Sequence, residues 1–254
     1  MDNLMPPEVA FAQAREDASM DTMWPEEIEA MSSTTESRRR EYATVRHCAR
    51  QALSILGIDP VPILNDDKRC PQWPTGIVGS MTHCRGYRAA AVARAESYRT
   101  LGLDAEPALA LPPGVLMRIT NESEREHLNQ ISHVGDGSHQ GDGSHHLGDG
   151  SSQIGDGSHL LGDGSSYLGD GSLLGDGSPW DRILFCLKES IYKAWFPVTR
   201  APLGFHDVEV HPQADHGSQI RFLVDVPRQL RSENWEASWT INEGIIVTAA
   251  WIQR

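Results

Sequence analysis

Residues 180–197 read WDRILFCLKESIYKAWFP, and their spacing decides most of the fold. At about 100° per residue, Leu184, Leu187, Ile191 and Trp195 fall into one apolar stripe, the pattern of a helix that buries a single face. Phe185, Glu189 and Lys193 lie on the roughly opposite face, with Glu189 and Lys193 one turn apart. Ser178 and Pro179 read as cap and first helical position, and Pro197 is expected to stop the helix. Two readings of the Glu189–Lys193 pair stand side by side. One is a surface ion pair of little energetic value; the other is a carboxylate and an ammonium placed to handle a proton and a phosphate.

Upstream, residues 101–107 read LGLDAEP. Side chains i and i+2 of a strand project to the same side, so Asp104 and Glu106 can reach one hard cation, and Mg²⁺ suits carboxylate and phosphate oxygens. Two acids at that spacing are common by chance; Glu189 would add a third. Gly79-Ser80-Met81-Thr82-His83-Cys84, placed at a strand end, would offer a phosphate its backbone N–H groups, hydroxyls and imidazole, although a single His is more often structural. His47-Cys48 and His83-Cys84 tempt a zinc reading. Adjacent side chains diverge by about 100° on a helix, and no zinc site is expected.

Working outward, Ser33-Thr34-Thr35-Glu36 resembles a capping box before a long helix. Its apolar residues Tyr42, Val45, Ala49, Leu53 and Leu56 recur at helical spacing, and Gly57 is its expected end. Strand-like runs follow at 77–81, 89–93 and 101–105, then, beyond the second helix, at 208–211, 220–226, 235–240 and 245–251. Helix, strands, helix, strands is the order of an α+β protein of two comparable halves, 1–101 and 102–254.

The second half contains an unusual tract. Residues 133–179 hold GDGS seven times, with 14 of the 23 glycines and no Lys or Arg. Two glycines in each unit exclude a heptad coiled coil. The spacing of mostly seven misses the nine-residue period of calcium-binding β-rolls. Its few Leu, Ile and Tyr residues cannot offset the entropy of ordering, so a disordered insertion in a loop is expected. The alternative is a calcium-binding or interaction protein organised by the tract, in which Ca²⁺ would induce β structure.

Charge separates the regions further. The chain carries −13 over 254 residues, and without the seven aspartates of the tract −6. Yet 11 of the 22 Lys and Arg residues fall between Arg38 and Arg99, against five acids. A positive segment in an acidic protein suits a pocket for a small polyanion better than a long nucleic acid. No apolar run approaches the ~20 residues of a membrane span. The first twenty residues carry Asp2, Glu8, Glu16 and Asp17 and lack a basic start followed by an apolar stretch, so no secretory leader is expected. Four cysteines without CxxC spacing point to free thiols in a cytoplasmic protein.

GIVGSMTHCRGYRAAAVA (76–93), LGLDAEP (101–107) and WDRILFCLKESIYKAWFP (180–197), preceded by RRREYATVRHCAR (38–50), resemble the 4′-phosphopantetheinyl transferases. The type is the enterobactin- and surfactin-synthetase-activating one found in actinobacteria. The likeness runs from about Arg38 to Gly204 with the tract excised, and the tail from His206 is only loosely similar. The resemblance implies a pseudodimer of two similar α+β halves with the active site between them. It implies transfer of 4′-phosphopantetheine from coenzyme A to a serine of an acyl or peptidyl carrier protein, releasing adenosine 3′,5′-bisphosphate. Asp104, Glu106 and Glu189 would hold Mg²⁺, and Glu189 would act as base, directly or through water. Lys193 with Lys188 would stabilise charge on the diphosphate and leaving group. Arg38, Arg46, Lys68 and His83 would contact the coenzyme A phosphates, with Ser80 and Thr82 lining the same loop. A monomer serving polyketide, nonribosomal-peptide or fatty-acid synthesis is implied, with no nucleic-acid or membrane partner. A metal-dependent phosphohydrolase or nuclease would also use clustered acids with lysine. It would hydrolyse without any carrier, and it leaves the arginine-rich helix and the SMTHC stretch unexplained.

Overall fold

A computed structural model describes residues 4–134, 179–231 and 233–254. The expected disordered tract falls almost wholly on residues 135–178, outside the described residues. The elements are strands β1 (Ala10–Ala14), β2 (Ile77–Cys84), β3 (Tyr87–Arg94), β4 (Tyr98–Pro107), β5 (Val208–Pro212), β6 (Ser218–Phe222), β7 (Trp235–Asn242) and β8 (Ile245–Gln253). They are joined by helices α1 (Pro25–Ala30), α2 (Glu36–Ile55), α3 (Val115–Ile119), α4 (Glu122–Val134) and α5 (Trp180–Thr199). Helices and small antiparallel sheets make the mixed α and β architecture that the sequence pattern predicts.

Three-stranded antiparallel sheets occur twice, in the orders β1-β3-β2 and β4-β8-β7, with β5-β6 as a separate ribbon. Ala90 and Val92 of β3 pack with Cys48, Ala49, Ala52 and Leu53 of α2. Ala89, Ala91 and Ala93 turn the other way, onto Leu103, Val247 and Ala249 of the second sheet. In β8 the arrangement is mirrored: Ile246, Ala250 and Ile252 face α5, while Val247, Ala249 and Trp251 face the first sheet. The layers therefore run helix, sheet, sheet, helix. Both central strands are covered on both faces, which is why they read as unbroken apolar runs instead of alternating ones. The expected division at 101/102 falls inside β4, which pairs with β8 from Tyr98 to Pro107.

Several helix ends differ from expectation. Thr35, not Ser33, caps α2, its side chain accepting from the Arg38 N–H at 3.3 Å. The preceding residues are taken up in a turn off α1, where Ser32 N–H donates to Glu29 O and Thr34 N–H to Met31 O. Gly57 does end α2, at φ +70°, with Gly57 N–H on Ser54 O and Ile58 N–H on Leu53 O, the paired bonds of a left-handed C-terminal cap. Helix α5 starts at Trp180 with Pro179 as its cap, and it runs through Pro197 to Thr199. Proline there forfeits one hydrogen bond in the last turn only, and Arg200 closes the helix in the left-handed region by donating to Phe196 O. The run expected at 220–226 is strand only as far as Phe222, and SMTHC is not a loop but the last five residues of β2, at the expected strand end. Strand β1 and helices α1, α3 and α4 had no counterpart in the sequence reading.

What positions the site is a close approach. A Cβ on Gly102 of β4 would lie 1.9 Å from the Ser190 carbonyl oxygen and 2.7 Å from the Ala194 nitrogen. The backbone of α5 thus rests directly on β4, a contact that only a residue without a side chain permits. Thr100 Oγ1 donates to Ala194 O at 2.6 Å, and Thr248 Oγ1 donates to Cys186 O at 2.8 Å, fastening the helix on either side. Strand β2 meets β4 through a side chain, with the Leu103 N–H donating to Ser80 Oγ at 2.9 Å.

Gly102→Ala is expected to lower stability by ~3 kcal/mol or more, since both clashing atoms are backbone. Urea denaturation measures it, and a midpoint unchanged from wild type would contradict the close-approach account.

Candidate active site

The helix–strand contact brings residues of α5 down onto Asp104, which is 6% exposed. One carboxylate oxygen of Asp104 accepts from Lys193 Nζ at 2.6 Å and from Thr82 Oγ1 at 3.2 Å. The other accepts from the Cys186 thiol at 3.2 Å. Lys193 also donates to the Leu103 carbonyl at 3.1 Å. The ion pair therefore crosses from helix to strand, instead of running along the helix to Glu189 as a solvated surface pair would. Burial works against the Lys193 ammonium, but Asp104 outweighs it and the pKa rises.

Glu106 pairs with Arg182 at 3.2 Å. The same guanidinium donates to Leu109 O and Ala110 O, tying the chain beyond β4 to the first turn of α5. Burial, and then the charge of Asp104, raise the Glu106 pKa. Glu189 is pushed up to about 7, by burial first and then by Asp104, with Glu106 adding to it and Lys193 opposing. Glu106 and Glu189 are each less comfortable charged because Asp104 is near, the condition under which a cation is favoured beside them. Oxygen donors suit a hard divalent ion. Among the described residues, however, no group of three His, Cys, Asp or Glu side chains is arranged to hold a metal ion. Lys193 and Arg182 instead hold Asp104 and Glu106. A small cavity of about 150 Å³ opens beside Glu189, between Tyr192, Leu203 and Phe205.

The expected phosphate contacts divide. Arg38 of α2 donates to His83 Nε2 of β2 and to Glu41 at 3.0 Å. Burial, and then Arg38, depress the His83 pKa to about 4, so the ring is a neutral acceptor. Lys193 is among the charges that lower it, so His83 senses the carboxylate-bearing side of the site. Lys68 is exposed on the loop before β2. That loop is tied to the end of α5 by an ion pair of Asp66 with Arg200. Arg46, by contrast, is 6% exposed, donates to Ile63 O and Asn65 Oδ1, and lies over the Tyr42 ring at 3.3 Å. Burial pulls its pKa down to about 10. Ser80 and Thr82 are buried in the β2–β4 seam, where they bond to Leu103 and Asp104 and line no open loop.

Lys188 lines the same cavity as Glu189, but its ammonium is bonded on the side away from Asp104 and Glu106. It is 2% exposed, 2.7 Å from Glu124, and donates to Ile119 O and Phe205 O. One step along a helix turns a side chain by about 100°, which takes Lys188 from the face of Glu189 toward α3, α4 and the turn after α5. Glu124 binds the Val210 N–H as well, so this pair clamps α4 to α5 and β5. Burial lowers the Lys188 pKa and Glu124 opposes the shift. Sequence reasoning did not find Cys186, Arg182 or Glu41. Cys186 and Arg182 carried a signal, since positions three and seven residues before Glu189 lie on its face of the helix.

Two comparisons with known proteins bear on this arrangement. The family model described as the 4′-phosphopantetheinyl transferase N-terminal domain matches residues 26–93, and the 4′-phosphopantetheinyl transferase superfamily model matches residues 170–249. Group-transfer enzymes with this description also match as whole chains. The chain is 37% identical over 245 residues to the 4′-phosphopantetheinyl transferase Svp of Streptomyces mobaraensis, covering 95% of this chain and 83% of that one. It is 35% identical over 249 residues to the 4′-phosphopantetheinyl transferase PptT of Mycobacterium tuberculosis, covering 95% and 91%. It is also 34% identical over 236 residues to the 4′-phosphopantetheinyl transferase Npt of Nocardia iowensis, covering 89% and 87%. The chain belongs to the 4′-phosphopantetheinyl transferase family. The likeness reaches beyond both ends of the Arg38–Gly204 stretch and includes the tail from His206. These relatives lend no support to the phosphohydrolase or nuclease alternative. Among the described residues no helix is long and apolar enough to cross a membrane.

Two outcomes follow from the electrostatics. Lys188→Met leaves Glu124 buried and unpaired, and is expected to cost about 3–5 kcal/mol by denaturant melt. A folded Glu189 with its pKa near 7, above the ordinary 4.5, favours the protonated form. The stability this supplies is present at low pH and is lost as pH rises through about 7. Metal-free Glu189→Gln protein should therefore gain melting temperature over wild type as pH goes from about 5 to about 8; equal or narrowing differences would refute the assignment.

Proposed function

We propose that the protein transfers the 4′-phosphopantetheine group of coenzyme A to a serine of an acyl or peptidyl carrier protein, with Mg²⁺, releasing adenosine 3′,5′-bisphosphate. The observation that carries this reading is the convergence of Asp104, Glu106 and Glu189, from β4 and α5, beside the Arg38–His83 pair contributed by α2 and β2. A 20-residue helix on a three-stranded antiparallel sheet occurs in each half. That repetition supports a pseudodimer with the site at the β2–β4 seam, and with its second unit beginning at Tyr98.

Coenzyme A carries about four negative charges, and its binding needs fixed cations and hydrogen-bond donors. Arg38 is placed to donate to a phosphate, with neutral His83 beside it, and Lys68 stands exposed on the neighbouring loop. Arg46, donating to Ile63 O and Asn65 Oδ1, braces α2 against that loop and so supports the site from behind. Asp104, Glu106 and Glu189 would hold Mg²⁺ once Lys193 and Arg182 give up their carboxylates. Bound there, Mg²⁺ would neutralise the diphosphate and polarise its bridging oxygen.

A serine hydroxyl is a poor nucleophile until its proton is taken. Glu189, with a pKa close to neutrality, is suited to accept that proton, directly or through one water. The serine oxygen bonds to phosphorus as the bond to the adenosine bisphosphate oxygen breaks, and the proton is left on Glu189. Lys193, freed from Asp104, can donate to the departing phosphate oxygen and stabilise its charge.

The direct test mixes the protein with an apo carrier protein, coenzyme A and Mg²⁺ and follows the carrier by mass spectrometry. A phosphopantetheine-sized gain is expected with wild type. Asp104→Asn, Glu189→Gln and wild type with excess EDTA should give none while remaining folded. The rate should rise with pH through an acid limb at or below about 7, where Glu189 loses its proton. A carrier left unmodified by wild type, or fully active Asp104→Asn enzyme, would overturn the proposal.

A further inference from the structure

The Asp104 carboxylate is held from two unlike sides. One oxygen faces Lys193, whose side chain is 30% exposed, together with Thr82. The other faces the Cys186 thiol, which is fully buried at 0%. Cys186 belongs to the apolar core under α5, and it is itself fixed. Thr248 of β8 donates to its carbonyl at 2.8 Å and lies 3.4 Å from its sulfur. The thiol has no freedom to swing away, whereas a flexible lysine at the edge of the site does. An S–H is a weak donor, but an ionised acceptor strengthens such a bond.

From this asymmetry we infer that Cys186 is a positioning residue. Its S–H fixes one oxygen of Asp104 so that the other is presented to the divalent cation when Lys193 moves off. This inference rests on the metal reading of Asp104 given above. A carboxylate held at one oxygen keeps a single rotamer and binds a metal without first paying to be ordered. Without the thiol, Asp104 can rotate about its terminal torsion, and the second oxygen is left buried without a donor. The cysteine would thus act on metal affinity and not on the chemical step. Serine, which donates more strongly at nearly the same volume, should serve as well.

The test compares wild type with Cys186→Ser, Cys186→Ala, Cys186→Val and Asp104→Asn, each checked for folding by thermal melt. Mn²⁺ binding is read by electron paramagnetic resonance without substrate, and half-saturating Mg²⁺ is read in the carrier-loading assay. Cys186→Ala or Cys186→Val is expected to weaken Mn²⁺ binding about tenfold and to raise half-saturating Mg²⁺ by the same factor. The rate at saturating Mg²⁺ should stay within about twofold of wild type, and Cys186→Ser should restore both metal readouts. Wild-type Mn²⁺ binding by the alanine and valine variants would overturn the inference. So would a serine variant as weak as alanine, which would mean that packing and not donation matters. Failure of both the alanine and valine variants to fold would equally reduce Cys186 to a core residue. Asp104→Asn separates the two levels: if it binds Mn²⁺ like wild type, the metal reading itself fails. If it loses Mn²⁺ while the alanine and valine variants keep it, only the role of Cys186 fails.

Discussion

The site exists because a helix lies on a strand with nothing between their backbones. At Gly102 the α5 backbone sits where a Cβ would be, 1.9 Å from the Ser190 carbonyl. Side chains on ordinary packed layers hold a helix and a sheet farther apart, and at such a separation a lysine on the helix would reach a strand carboxylate only by stretching. Here Lys193 reaches Asp104 at 2.6 Å and still donates to the backbone of Leu103. The Thr100 and Thr248 hydroxyls, each donating to a carbonyl of α5, hold the helix at that depth. Close packing and site geometry are one feature, and a change at residue 102 acts on both.

The same proximity creates an electrostatic problem, and the structure shows how it is contained. Three carboxylates drawn into a half-buried space repel one another, and the fold offsets this by seating Lys193 on Asp104 and Arg182 on Glu106. Among the described residues Glu189 has no cation at ion-pairing distance, and it is the one whose pKa climbs to about 7. A divalent ion entering such a cluster would exchange places with cations already present, so less uncompensated charge is exposed than if the acids stood bare. On the proposed reading, the displaced lysine would stand beside the incoming phosphates without any large motion of the backbone.

Much of this was legible in the sequence, and the parts that were not have physical reasons. The two long helices and strands β2, β3, β4, β7 and β8 announced themselves by period and spacing, because burial of one helix face or of both sheet faces leaves an apolar record. The N-terminal strand AFAQA and helix α4 left a weaker one. The first is a short edge strand, and the second is held largely by polar bonds of Glu124 and His127. Lys188 beside Glu189 looked like a pair of catalytic neighbours. Its side chain is turned to a glutamate 64 residues away in sequence, a partner no local pattern could supply. The bond from Arg46 to the Ile63 carbonyl was equally invisible, since an arginine in a basic helix looks the same whatever it faces. The hydroxyls of Ser80 and Thr82 bond across the seam, to the Leu103 N–H and the Asp104 carboxylate, partners that their spacing in sequence does not announce.

The position of the GDGS units can be argued from their flanks alone. Before them, α4 is clamped through Glu124 to Lys188 and to the Val210 N–H, and through His127 to Pro212 O. After them, α5 is pinned at its first turn, where Asp181 accepts from the Leu111 N–H at 2.7 Å and Arg182 holds Glu106. The bonds of both anchors join described residues on either side of 135–178. The cost of closing a connection between fixed ends grows only with the logarithm of its length. Two helices held in this way can accept a long connection at little cost to the carboxylate cluster, so a sequence enriched in glycine and aspartate between them is compatible with the packing of α5 on β4.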